Sequence, residues 1–101
     1  MPSSSSRKGS NAERAVVKIA EAHGIPAKRA YGSDGRALGE ASTVDIMVGE
    51  YRVQVKRRAK IADYVFPPEG ADVTAIREDR GEWHIVMTLE EFLKLIGSYT
   101  E

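Results

Sequence analysis

Three features are missing from this sequence: cysteine, a long apolar run and a net charge. No cysteine occurs among its 101 residues, which excludes a disulfide framework and a thiolate metal site. The two histidines, His23 and His84, are too few for a histidine-rich zinc site. No apolar run approaches the roughly 20 residues that span a bilayer, and the first residues contain no apolar signal core. We therefore expect an intracellular protein that does not enter a membrane.

The charges sum to zero, yet they are unevenly distributed along the chain. Residues 1–60 contain 12 lysines and arginines against 6 acidic residues (+6), and residues 61–101 contain 3 against 9 (−6). The basic half is suited to contact phosphates while the acidic half faces elsewhere. The alternative is that the two halves mix in space on folding, and the asymmetry then has no functional meaning.

The length bounds the domain organisation. A chain of 101 residues suits one small domain, and small domains often gain stability by pairing with another chain. Residues 1–9 are serine-rich and basic, and we expect them to form a disordered arm. Residues 10–101 are expected to form a single domain.

Local patterns predict an α/β fold with the element order α-β-β-β-(α)-β-β-α. Ser10 and Glu13 form a capping-box pattern that predicts a first helix over about Asn11–His23, and Gly24 is typical of a helix C-terminus. Thr88 is expected to cap a last helix in the same way. Strands are predicted at residues 27–31, 44–48, 51–56, 73–76 and 83–87, with a glycine-rich mobile loop at 32–40. We expect Trp83 and Phe92 in the core, and Tyr64 and Phe66 either in the core or in a dimer contact.

The hairpin at residues 44–56 carries the candidate chemistry. If Gly49 and Glu50 form a two-residue type II′ loop, Asp45 lies directly opposite Gln54. Strand alternation then places Asp45, Gln54 and Lys56 on one face. Directly opposed β-carbons are about 5 Å apart, so two side-chain oxygens can bind one divalent cation. A lysine beside that cation can orient a water molecule and stabilise negative charge on a phosphate.

Asp45 followed after eight residues by Gln54-Val55-Lys56 resembles the Asp…(Glu/Asp)-x-Lys signature of restriction-endonuclease-like nucleases. More specifically, the sequence resembles archaeal-type Holliday junction resolvases. The resemblance covers most of residues 7–97. It comprises Arg7-Lys8-Gly9-Ser10-x-x-Glu13-Arg14, Gly32-Ser33, Val44-Asp45-Ile46, Val53-Gln54-Val55-Lys56-Arg57-Arg58, the Trp83 strand and Leu89-Glu90-Glu91-Phe92-Leu93.

This resemblance implies a mixed central β-sheet of about five strands flanked by helices. It also implies a homodimer that nicks four-way DNA junctions with Mg²⁺, or with Mn²⁺ in its place, and uses no small-molecule cofactor. Such a protein works in the cytoplasm or nucleoid of an archaeal, bacterial or virus-infected cell. The implied catalytic residues are Glu13, Ser33, Asp45, Gln54 and Lys56. The implied metal ligands are Glu13, Asp45, Gln54 and Val55. The implied DNA-binding residues are Arg7, Lys8, Arg14, Arg29, Arg36, Arg57 and Arg58.

One position departs from the family pattern. The acid that precedes x-Lys in the family is Gln54 here, which offers a carbonyl oxygen without charge. Gln54 is then a natural ligand, an engineered inactivation, or the mark of a protein that binds DNA without cutting it. A related nuclease for other DNA substrates is also compatible with the motif.

Each candidate also has a purely structural interpretation. Glu13 fits the third residue of a capping box, and Asp45 could face water or pair with Lys56. Arg57 and Arg58 could form a solvated strand edge. Ser33 could be an ordinary turn residue.

Overall fold

A computed structural model describes residues 4–30, 36 and 43–98. The chain divides into two compact units, Met1–Arg57 and Arg58–Glu101, and each is described by itself. The first unit contains helix α1 (Ser4–Ala22) and strands β1 (Ala27–Arg29), β2 (Ile46–Val48) and β3 (Tyr51–Val53). The second contains a short 3-10 helix (Asp63–Val65), strands β4 (Thr74–Ile76) and β5 (His84–Val86), and helix α2 (Leu89–Ser98). The order of elements agrees with the prediction.

Helix α1 begins earlier than the sequence indicated. It starts at Ser4 rather than Asn11, so Ser10 is not its N-cap, and residues 4–9 of the predicted disordered arm are helical. No proline interrupts this stretch, and adding residues to an existing helix costs little compared with starting one.

The C-terminus of α1 is the predicted glycine cap. Gly24 has φ of +78°, its N–H donates to the Glu21 carbonyl at 2.9 Å, and the Ile25 N–H donates to the Ala20 carbonyl at 3.0 Å. These two bonds define a Schellman motif, which ends the helix and turns the chain toward β1.

The three strands of the first unit form an antiparallel sheet in the order β1-β2-β3. Val48 pairs with Tyr51, so Gly49 and Glu50 are the two-residue loop that was predicted. Gly49 has φ of +56°, whereas Glu50 is not among the residues with positive φ, and this combination matches a type II′ turn.

Helix α1 covers one face of this sheet through contacts with β1 and β2. The alternate residues Val44, Ile46 and Val48 are buried, and so are Ala20 of α1 and Ile25 of the connecting turn. This period-2 burial confirms the predicted alternation of the hairpin. The apolar core of the unit therefore fixes which side chains of the hairpin point away from it.

In the second unit β4 and β5 form a two-stranded antiparallel hairpin, followed by α2. Thr88 caps α2 as predicted, because its Oγ1 accepts the Glu91 N–H at 3.2 Å. Leu93 and Ile96 are the buried residues of this helix.

The expectation that Trp83 lies in the core is wrong, since 66% of its surface is exposed. Phe92 is half-buried, and Tyr64 and Phe66 are exposed. Trp83 shares a strand face with Ile85, which is also exposed, and a two-stranded sheet with one open face leaves such side chains in solvent.

The predicted single sheet of five mixed strands is not what the described residues contain. Five strands are present, but they form one sheet of three and one of two, and every pairing is antiparallel. The β3 ladder ends at Val53, and Pro67 and Pro68 in the segment before β4 have no N–H to donate to a ladder. No described helix has the length and apolar character that crossing a membrane requires.

Candidate functional site

The β2–β3 hairpin brings the Asp45 carboxylate against the segment that carries Gln54 and Lys56. Asp45 Oδ2 accepts a hydrogen bond from the Val55 N–H at 2.7 Å. Val55 lies between Gln54 and Lys56, so the carboxylate meets the middle of the predicted motif. A charged acceptor makes such a bond short and comparatively strong, which fixes the carboxylate at this place.

The backbone ladder changes just before this contact. Ile46 pairs with Val53, and a regular ladder would pair Asp45 with Gln54 next. Instead the Asp45 N–H donates to the Val53 carbonyl at 3.0 Å, which shifts the bonding by one residue. Beyond Val53 the two strands are joined by the hydrogen bond to the Asp45 side chain. Asp45 and Gln54 are therefore neighbours, but they are not a regular ladder pair.

Exposure follows the alternation that was predicted. Asp45 is half-buried, Gln54 and Lys56 are exposed, and Val53 and Val55 are half-buried. Within residues 43–98 no ion pair joins Asp45 to Lys56, and no hydrogen bond to Asp45 Oδ1 is present. The interpretation of Asp45 as the salt-bridge partner of Lys56 therefore finds no support, and one carboxylate oxygen has no described partner.

Glu13 is bound by a cation from the neighbouring strand. Arg29 Nε donates to Glu13 Oε1 at 2.9 Å, and Arg29 Nη2 donates to Ser10 Oγ at 3.4 Å. The Glu13 side chain is 6% exposed and that of Arg29 is 27% exposed. The interpretation of Glu13 as a capping residue is wrong, because α1 begins at Ser4, so Ser10 lies inside the helix and is not its N-cap.

The side chains of Glu13 and Asp45 lie on different faces of the β1–β3 sheet. Arg29 pairs with Ile46, so its side chain shares the face that α1 covers. Asp45 occupies the alternating position, which points away from that face. The structure describes no hydrogen bond or ion pair that joins Glu13, Asp45, Gln54 and Lys56 into one cluster.

The candidate phosphate contacts are mostly at the surface. Arg14, Arg36, Arg57 and Arg58 are exposed, whereas Arg29 is engaged with Glu13. The side chains of Arg7 and Lys8 and the whole of Ser33 lie outside the described residues, as does most of the predicted loop at 32–40.

The oxygen atoms of Asp45 and Gln54 suit a hard divalent cation. Mg²⁺ binds proteins through one or two carboxylates and keeps several water molecules, so it does not need a cluster of acids. Such a cluster is in fact absent from the described residues, where no group of three or more acidic or histidine side chains can hold a metal. Asp45, Gln54 and the Val55 carbonyl offer oxygen donors of the kind that this ion prefers, whereas Glu13 is paired with Arg29 on the face that α1 covers.

The pairing of Arg29 with Glu13 was missed at the level of sequence, although a signal exists. Glu13 stands at helical spacing from Val16, Val17 and Ala20, which places it on the apolar stripe of α1. A carboxylate on a buried stripe requires a cation or hydrogen-bond donors. Arg29 lies on the first strand that follows this helix, at a position that faces α1.

Comparison of the chain with protein-family models, with curated proteins and with solved structures gives no match. The geometry of the hairpin and of the Glu13–Arg29 pair is therefore the basis on which a function is proposed.

Proposed function

We propose that this protein is a metal-dependent endodeoxyribonuclease that resolves four-way DNA junctions by paired nicks. It acts as a homodimer, because two symmetric cuts across a junction require two active sites. Mg²⁺ is the cofactor, with Mn²⁺ as a substitute. The fold is proposed to be a restriction-endonuclease-like core, of which the β1–β3 sheet covered by α1 is a part.

The hydrogen bond from the Val55 N–H to Asp45 Oδ2 is the observation that carries this proposal. At 2.7 Å it places a carboxylate beside the peptide unit that links Gln54 to Val55. Asp45, the Gln54 amide and the Lys56 ammonium are thereby held within one short stretch of a hairpin. A carboxylate, a neutral oxygen and a cation in this arrangement suit the hydrolysis of a phosphodiester.

Each of these groups has a defined task in the proposed reaction. Asp45 and Gln54 would hold the metal ion, which would supply an activated water and neutralise charge on the phosphate. Lys56 is exposed and unpaired among the described residues, and it orients that water and stabilises developing negative charge. Ser33 is assigned to the scissile phosphate on the family resemblance alone.

Gln54 weakens the site in a way that can be measured. Replacing a carboxylate ligand by an amide removes one negative charge, so the metal affinity is lower than in a site with an acid at this position. The Gln54→Glu variant restores that charge without changing the length of the side chain. We expect it to cleave at lower metal concentration than the wild-type protein.

The decisive experiment is a cleavage assay on a four-way junction over a range of Mg²⁺ and Mn²⁺ concentrations. Wild-type protein is expected to nick opposed strands, Asp45→Asn to lose about a hundredfold or more in rate, and Gln54→Glu to shift the metal dependence. Asp63→Asn, an exposed change remote in sequence, serves as the control and should cleave normally. Intact junctions with both wild type and Gln54→Glu would remove the enzyme proposal.

A second candidate is a DNA-binding module of the same fold that no longer cuts. The neutral Gln54 favours it, together with the absence of an acidic cluster among the described residues. This candidate predicts junction binding that weakens with salt and is unaffected by Asp45→Asn. A panel of junction, flap, duplex and single-stranded substrates distinguishes a junction resolvase from a nuclease for other DNA.

A further inference from the structure

We propose that Lys28 and Arg52 form a phosphate-binding strip on the outer face of the β1–β3 sheet, which is the face opposite α1. The inference rests on the proposed nuclease function and assigns two further residues to the binding of its DNA. The ligand is one sugar-phosphate strand of the substrate, which the strip holds beside Asp45. Neither residue belongs to the DNA-binding set that the family resemblance implies.

The strand register places the two cations in one line across the sheet. Lys28 of β1 pairs with Met47 of β2, and Met47 pairs with Arg52 of β3. Paired residues share a face, and neighbouring strands are about 4.8 Å apart, so the α-carbons of Lys28 and Arg52 are about 10 Å apart. Ile46 and Val48, on either side of Met47, are buried on the face that α1 covers, so the line lies on the outer face.

Both cations are accessible to a ligand from solvent. Lys28 and Arg52 are exposed, whereas Met47 between them is half-buried and forms an apolar centre. A groove of about 280 Å³ lies beside this centre, and its lining residues are Pro26, Ala27, Lys28, Met47 and Gly49. An apolar floor flanked by cations fits a sugar-phosphate strand, because the deoxyribose contacts the floor while the phosphates reach the charged groups.

The strip continues along β2 into the candidate site. Asp45 is two residues from Met47 and therefore lies on the same face. Two residues of an antiparallel strand span about 7 Å, which corresponds to about two nucleotides of rise along a DNA duplex. A strand with one phosphate at Asp45 therefore has a neighbouring phosphate within reach of Lys28 or Arg52.

The charge of the outer face favours a polyanion. Among the described residues of the three strands and the segment after β3, this face has the cations Lys28, Arg52 and Lys56 against the carboxylate of Asp45. The other acid of the hairpin, Glu50, lies in the turn. Arginine matches phosphate with a planar fork of donors, and lysine adds a point charge. Such contacts hold a DNA strand in position without reading its bases.

The test measures binding of a fluorescent four-way junction by anisotropy, in EDTA, over a range of salt concentrations. Lys28→Gln should lower the slope of the logarithm of the binding constant against that of salt by about 0.9, and its combination with Arg52→Gln by roughly 2. Arg52→Lys retains the charge and should retain the slope. Lys18→Gln removes an exposed lysine from α1, on the other side of the sheet, and should bind like wild type.

Folding of each variant is checked by circular dichroism. Substitutions at exposed positions such as these should leave the melting temperature within a few degrees of wild type. If Arg52→Gln does not fold, Lys28→Gln combined with Arg52→Lys replaces the double variant, with an expected loss of about 0.9 in slope.

A second measurement locates the contact on the DNA. Phosphates within a few nucleotides of the branch point are replaced, one at a time, by uncharged methylphosphonate. At one or two positions this should weaken binding by wild type about fivefold and have little effect on the double variant, whose contact is already lost. The inference is overturned if no position shows this coupling, if the double variant keeps the slope of wild type, or if Lys18→Gln loses as much slope as Lys28→Gln.

Failure of the proposed function has a different signature, because neither binding measurement depends on cleavage. If the protein is not a nuclease, wild type and Gln54→Glu leave junctions intact while Lys28→Gln still lowers the salt slope. If only the strip is incorrect, wild type cuts junctions and Asp45→Asn does not, while Lys28→Gln binds like wild type. Wild-type protein that does not bind the junction at all would overturn both proposals.

Discussion

Leu93 and Trp83 are two large apolar side chains within residues 58–98 whose exposure differs widely. Leu93 is 1% exposed and Trp83 is 66% exposed, with the Arg77 guanidinium 5.2 Å from the centre of its ring. Truncating a buried leucine removes its transfer free energy and leaves a cavity, at a cost of about 2–5 kcal/mol. Truncating an exposed tryptophan removes one cation–π contact, which contributes about 1 kcal/mol.

The corresponding prediction is a ranking of two variants. In urea unfolding, Leu93→Ala should lose at least about 2 kcal/mol and Trp83→Ala about 1 kcal/mol or less. Tyr64→Ala, whose side chain is also exposed, serves as a reference for an aromatic in solvent. A loss at Trp83 as large as that at Leu93 would mean that its ring is covered in solution.

At the scale of elements, helix α2 depends on its first turn. The Thr88 hydroxyl accepts the Glu91 N–H at 3.2 Å and satisfies one of the donors that a helix leaves unpaired at its start. Thr88→Ala should therefore destabilise the protein by about 1 kcal/mol, measured by thermal unfolding. Thr88→Ser keeps the hydroxyl and should remain within a few tenths of a kcal/mol of wild type. If the two variants unfold alike, the cap does not stabilise α2.

The elements that were predictable are those with short-range causes. Three such elements depend only on residues close to one another in sequence, so their sequence patterns predict them directly. They are the helix C-terminus at Gly24, the turn at Gly49-Glu50 and the helix cap at Thr88. The start of α1 was not predictable, because Ser10 and Glu13 imitate a capping box inside a longer helix. The true partner of Glu13 is Arg29, 16 residues away, and only the packing of α1 on β1 brings them together.

The candidate site shows the same division between local and long-range causes. The closeness of Asp45 to the Gln54–Lys56 segment follows from a two-residue turn, and it was expected. The one-residue shift in backbone hydrogen bonding at Asp45 was not expected. It arises where the Asp45 carboxylate, instead of a backbone carbonyl, accepts the Val55 N–H. The relation of Glu13 to this site depends on a long-range contact, and sequence patterns contain little information about it.

At the scale of the whole molecule, the proposed binding to DNA would depend on how charge is distributed along the chain. The net charge is zero, so attraction to phosphate depends on the basic residues 1–60 rather than on a general positive field. Each lysine or arginine that contacts a phosphate releases a counterion. The logarithm of the binding constant then falls with the logarithm of the salt concentration, with a slope of about 0.9 per contact.

The following prediction distinguishes local phosphate contacts from an effect of net charge. Replacing both Arg57 and Arg58 with glutamine should weaken junction binding and lower the salt slope by roughly 2, measured by fluorescence anisotropy without metal. Replacing Arg80 and Lys94 removes the same charge from the acidic part, where Lys94 already pairs with Glu90 and Glu91. That control should leave the slope unchanged. Equal effects in the two double variants would mean that DNA responds to total charge, and the assignment of Arg57 and Arg58 to a phosphate contact would then be wrong.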